Sequence, residues 1–244
     1  MKKTLILMLT ICCIVFTGCE NNTGKSNEIE NSRTDIQNFN IVEEADNMNP
    51  EDYSDFIKKC AIYYSNYVNV SDYSNITYSI RRNATDDEDS YLQREFNEIY
   101  RIIDEQSEII SYPKEIYDRL VKTYGDNLKT EYEDYYKDKY DSLSEYIVNE
   151  YKFSSIDSFN EYVGKEAEDY LKQEMIIYII AYKNGIDVSK NEIIDYAEDL
   201  AKYYEYDSVE EMELKCGKAI YEEMGYQILQ DKVMNYLINI STNI

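Results

Sequence analysis

Five cysteines, 28 tyrosines and 49 carboxylates are the side chains from which this sequence can build chemistry, and it has neither histidine nor tryptophan. Without an imidazole there is no general base for a Ser-His or Cys-His nucleophilic arrangement, and most zinc sites lose a principal ligand. Acidic runs such as Glu131-Tyr132-Glu133-Asp134 offer oxygens. A calcium loop, however, needs glycine punctuation, and an acid–base pair needs two carboxylates across a cleft. Neither pattern is present, so these runs read as solvated helix faces, with no metal, cofactor or catalytic residue expected. Cys60 and Cys216 are the only thiols beyond residue 19. Two thiols do not make a disulfide scaffold; they either pair or serve as small buried apolar residues.

Cys19 stands in a different setting. Met1-Lys2-Lys3 is followed by an apolar run of 12 residues from Leu5 to Phe16 and then by Thr17-Gly18-Cys19, the order of an export signal. A membrane-spanning helix needs about 20 apolar residues, so this run is too short to stay as a span. Val15-Phe16-Thr17-Gly18-Cys19 resembles a bacterial lipobox, with Phe16 where leucine is usual. The motif implies cleavage before Cys19, which frees its amine, and a diacylglycerol lipid (palmitate) on its thiol. The other reading is an ordinary secretory signal with Cys19 a plain thiol. Cleavage leaves the 25 basic residues short of Lys2 and Lys3, so 23 face 49 acids, a charge of −26. That balance argues against nucleic acid as a partner and repels anionic headgroups, leaving the lipid to hold the chain at the membrane.

The elements that position these groups are helical. Residues 20–49 are rich in Asn, Glu, Ser, Thr and Asp with no period, which reads as a lipidated flexible tether over 19–49 behind a signal peptide at 1–18. From Pro50 onward 195 residues hold one further proline, Pro113, and five glycines, too little punctuation for a sheet fold. Asn49-Pro50-Glu51-Asp52 opens a helix to about Tyr67. A short extended segment is expected near 68–80, and Thr85-Asp86-Asp87-Glu88 has capping-box spacing ahead of a stripe through Leu92, Phe96, Ile99, Ile103 and Ile110. Tyr112-Pro113 breaks the helix; Ile116, Leu120, Val121, Tyr124, Leu128, Tyr132 and Tyr135 continue on one face. Met175 to Tyr182 is apolar all round, which marks a helix enclosed by others. Gly185 ends it, Ser189 and Glu192 form a capping box, and the last helix carries Met224, Leu229, Val233 and Leu237. Tyr151 to Phe159 and Tyr204 to Met212 echo each other at an offset of 53 residues. The echo reads either as a duplication or as two capped hairpins that look alike.

Tyr178-Ile179-Ile180-Ala181-Tyr182-Lys183-Asn184-Gly185-Ile186-Asp187-Val188-Ser189-Lys190-Asn191-Glu192-Ile193 resembles the helix, turn and helix start in the C-terminal domain of trigger factor. Leu200 to Tyr204 and Ile228 to Leu237 resemble that domain's later helices, Tyr112 to Ile116 its first long arm, and Val70 to Ile76 its connecting segment. The resemblance runs from Val68 to the end and extends to exported foldases of the SurA and PrsA type. It implies an all-α fold of long helical arms and an antiparallel cradle, with a linker segment over 50–110 and a chaperone domain over 111–244. The peptidyl-prolyl isomerase domain of such proteins would fall between about Asp104 and Tyr112, where no room remains, and the ribosome-docking module is missing.

The resemblance implies a holdase, and the lipobox-like segment at Cys19 implies that it is membrane-anchored, on the outer face of a cytoplasmic membrane as in a Gram-positive bacterium. Its partners would be unfolded or nascent exported polypeptides, with no ribosome and no isomerase activity. Tyr132, Tyr135, Tyr136, Tyr140 and Tyr146 are expected to help line its client-facing side, because tyrosine offers large area at low entropic cost and a polar tip. The alternative is a lipid-tethered helical adaptor for one specific cell-envelope protein.

Overall fold

The computed structural model describes residues 39–83 and 87–244, and the molecule is predominantly all-α. Cys19, the signal segment, the tether up to residue 38, and Ala84, Thr85 and Asp86 lie outside the described residues.

Two compact units share the chain, one of residues 111–174 and a larger one of residues 39–110 and 175–244. Residues 175–244, expected in one domain with residues 111–174, share a compact unit with residues 39–110.

In the larger unit the described residues begin at Phe39, and residues 39–49, expected in the tether, are folded. Helix α1 (Ile41–Asp46) is capped by Asn40, whose side chain accepts from the Glu43 amide, and it buries Ile41 and Ala45. Six residues are too few to display a period. The buried flanks Phe39 and Met48 stand outside the helix. A 3-10 turn (Pro50–Asp52) leads into α2 (Tyr53–Tyr64), which buries Tyr53, Phe56, Ile57, Cys60, Ala61 and Tyr64 along one stripe. It stops before the expected Tyr67 because the Ser65 and Asn66 side chains fold back onto the Ile62 and Tyr63 carbonyls.

The extended segment consists of two short strands. β1 (Val68–Asn69) pairs antiparallel with β3 (Glu108–Ile109), and β2 (Thr77–Tyr78) pairs parallel with β4 (Thr242–Asn243). Between them α3 (Glu88–Gln106) is capped by Asp87 and buries Phe96, Ile99 and Ile103. Ser107 ends it, its hydroxyl donating to the Ile103 carbonyl at 2.7 Å and accepting from the Ser71 amide at 3.0 Å. Ile110, expected on the α3 stripe, lies beyond that stop and is 55% exposed.

The 111–174 unit holds α4 (Lys114–Glu131), a π-helical turn (Tyr132–Tyr136), α5 (Leu143–Tyr151) and the first part of α6 (Ile156–Lys183). Tyr124, Leu128, Tyr146, Ile147, Phe159 and Val163 form its core. Residues 175–183 of α6 belong to the larger unit, where Met175 to Ala181 are all buried. Gly185 closes α6 in the left-handed region at φ +64°, and the Ile186 amide donates back to the Ala181 carbonyl at 2.9 Å. Ser189 and Glu192 form a complete capping box on α7 (Lys190–Tyr203). Helix α8 (Val209–Cys216) follows, and α9 (Ala219–Ile240) packs on α7, α3 and α1.

The 53-residue echo has a backbone counterpart. Lys152 and Glu205 are the two non-glycine residues with positive φ among those described, at 62° and 60°. Three residues after each, Ser155 and Ser208 cap the next helix, accepting from the Ser158 and Glu211 amides at 3.1 and 3.2 Å. Ser142 and Ser189 cap helices in the same way. The shared left-handed residue therefore distinguishes the two corners, while the serine cap does not.

Candidate functional site

The tyrosines singled out in the sequence meet around the end of α4. Hydrogen bonding from i to i+5 takes one residue more per turn than the α-helix, so the π turn displaces the face that α4 presents. Tyr136 thereby takes the inward position and Tyr135, expected on the stripe, is turned out to 78% exposure. The chain then bends through residues 137–142 and restarts at α5, where Ser142 accepts from the Glu145 amide at 3.2 Å and Glu145 accepts from the Asp141 amide at 2.9 Å. This double cap fixes the first turn of α5, and with it Tyr146.

Tyr146 is 1% exposed and forms the centre of the group. Its ring centroid lies 4.7 Å from Tyr136, 5.8 Å from Tyr132, 5.9 Å from Tyr140 and 5.8 Å from Tyr151. The expectation that Tyr146 faces a client is therefore corrected: it organises the rings that do reach the surface. Tyr132, Tyr136 and Tyr140 are half-buried, packed against the core cluster on one side and open on the other.

Polar tips tie the group together. The Tyr132 hydroxyl donates to the Tyr140 carbonyl at 3.1 Å, and the Tyr151 hydroxyl donates to Glu131 Oε2 at 2.8 Å. Burial, then hydrogen bonds with Tyr151 and Glu131, push the Tyr146 phenol above its usual range, and burial chiefly raises Tyr151 to about 12. Both phenols stay neutral at physiological pH and offer ring area and hydrogen bonds. Lys139 Nζ sits 4.9 Å from the Tyr140 ring centroid and 5.8 Å from that of Tyr136, and 2.5 Å from Glu150 Oε1. Glu150 also accepts from the Tyr140 hydroxyl.

Lys139, Glu150, Glu131 and Tyr151 were not legible as members of this site. Glu131 and Lys139 flank the π turn, but their partners Tyr151 and Glu150 lie on α5, beyond a loop whose return path no local spacing encodes.

Elsewhere, no group of three or more metal-ligating side chains is placed to hold an ion among the described residues. Cys60 is buried, Cys216 is half-buried, and they are not joined to each other in a disulfide. A polar depression beside α1 contains Glu44 and Asp55, and Lys59 spans both at 3.0 and 3.1 Å. Among the described residues no helix is long and apolar enough to cross a membrane.

Against known proteins, the family model described as bacterial trigger factor protein C-terminus matches residues 80–239. That span takes in the 111–174 unit, and with it the whole tyrosine group. No curated protein and no solved structure matches the chain.

Proposed function

Because the chain belongs to the family of the bacterial trigger factor C-terminus, a chaperone-type module that binds unfolded polypeptides, we propose that it is a holdase for exported proteins, anchored outside the cytoplasm through a lipid on Cys19. The carrying observation is the tyrosine group of the 111–174 unit: a fully buried ring, three half-buried ones and Tyr135 at 78% exposure. Such a surface accepts apolar and polar client segments alike, because each ring presents a large face and a hydroxyl tip with few torsions to freeze.

The seven residues 107–113 join α3 directly to α4, so no further domain stands where an isomerase domain would be inserted. Holding, without turnover of prolyl bonds, is the activity this supports. Export and lipidation rest on the succession Lys2-Lys3, Leu5 to Phe16 and Thr17-Gly18-Cys19.

The test is suppression of aggregation of a denatured client by the mature chain, against an unrelated acidic helical protein. Tyr135→Ser is expected to weaken protection about twofold or more. Tyr203→Ser, at an equally exposed 78% in the other unit, is expected to leave it intact. Protection no better than the acidic control overturns the proposal. Combined with tight, salt-sensitive binding to a single basic envelope protein, that outcome would establish the adaptor reading instead.

A further inference from the structure

The loop between the π turn and α5 places an ammonium where a client could supply one. Lys139 Nζ lies over the faces of Tyr140 and Tyr136, and its charge is met by Glu150. Two aromatic faces and one carboxylate around a cation are the parts of a cation-recognition cage: the rings contribute through their quadrupoles and the carboxylate through its charge. The occupant, however, is open to solvent. The Lys139 side chain is 60% exposed and sits on a short loop, while the cage wall Glu150 is 30% exposed on α5. The segment from Glu131 to Tyr151 carries seven acidic residues against two basic ones, so a cationic segment is drawn to this side of the unit.

We infer that the cage of Tyr136, Tyr140 and Glu150 is a binding site for the lysine ammonium or arginine guanidinium of a client segment, with Lys139 holding the place when no client is bound. The inference rests on the holdase reading and adds a rule of selection: a preferred segment pairs a cationic side chain with apolar residues for the neighbouring ring edges. Exchange of one cation for another never leaves Glu150 without a counter-charge. A neutral client side chain would have to strand that carboxylate or leave the cage filled by Lys139. Cationic clients therefore gain a contact that neutral ones do not.

Binding of three labelled peptides to the mature chain, identical except for lysine, arginine or norleucine at two positions, tests this by fluorescence anisotropy. The lysine and arginine peptides are expected to bind about threefold or more tighter than the norleucine peptide. Lys139→Met keeps the stem and removes the competitor, so it should widen that ratio. Tyr140→Leu should narrow it, with unchanged helicity confirming that the unit remains folded. A ratio that Lys139→Met leaves unchanged or reduces, or that Tyr140→Leu leaves unchanged, overturns the cage. A flat ratio in a chain that still suppresses aggregation would remove the selection rule and leave the holdase standing.

Discussion

Gly225 shows how one hydrogen atom decides the packing of the larger unit. A Cβ built there falls 2.5 Å from Tyr53 Cζ and 2.7 Å from Cδ2, closer than real contacts come. The ring has no room to retreat. Tyr53 is fully buried, its hydroxyl lies 3.1 Å from that of Tyr178, and the Tyr178 hydroxyl donates to Glu222 at 2.9 Å. Helix propensity alone favours alanine over glycine in the interior of α9 by about 1 kcal/mol. Overpacking costs about 1–3 kcal/mol and breaks the phenol chain as well, so the sign reverses. Gly225→Ala is expected to lower stability by about 1–2 kcal/mol in urea unfolding. In a Tyr53→Ala background the same change should cost nothing or stabilise, because the clash has gone.

Between elements, the junction of α7 with α9 runs through Glu192. Its carboxylate accepts from the Ser189 amide at 2.9 Å and from Lys232 Nζ at 2.6 Å, while Lys232 also donates to the Asp187 carbonyl at 2.7 Å. The Lys232 hydrogen bond, aided by the Ser189 amide, holds Glu192 at about 2, below its ordinary 4.5. A depressed carboxylate stabilises the fold above its unfolded pKa, and that contribution is lost as pH falls from about 4.5 through about 2. Glutamine can still close the capping box, so Glu192→Gln isolates the charge. With the Glu192 side chain 41% exposed, screening limits the loss at pH 7 to under about 1 kcal/mol. Unfolding of variant and parent should differ at pH 7, converge below pH 4.5 and coincide near pH 2. Local chemistry of this kind was readable in advance: the Ser189–Glu192 box and the Gly185 stop follow from residue type and spacing. The π turn, the folding of Phe39 to Asn49 and the Lys139–Glu150 contact were not readable. The first replaces one period with another, the second is shorter than a period, and the third depends on how a loop returns.

For the molecule as a whole, charge and anchor act in opposite directions. Residues 39–49 are folded, 11 residues ahead of the start at Pro50 that composition indicates, so the acidic body extends at least that much further toward Cys19 in sequence. The charge of −26 that the proposed cleavage would leave gives the chain no affinity of its own for an anionic bilayer, because surface potential repels it within a Debye length. The proposed lipid would then supply all of the attachment, and two acyl chains suffice where one gives only marginal, reversible binding. The same charge would keep the exposed aromatic group soluble and, on the holdase reading, favour cationic clients over acidic ones. Cys19→Ala separates these roles. It should abolish incorporation of labelled palmitate and move the chain entirely from the membrane fraction to the exported soluble fraction. The purified variant should not sediment with anionic vesicles at low salt, yet it should protect denatured clients as well as the parent. Retention of the variant on membranes would mean that part of the body binds the bilayer directly, against the charge argument. Loss of protection together with the lipid would mean that the anchor takes part in holding the client as well as locating the chaperone.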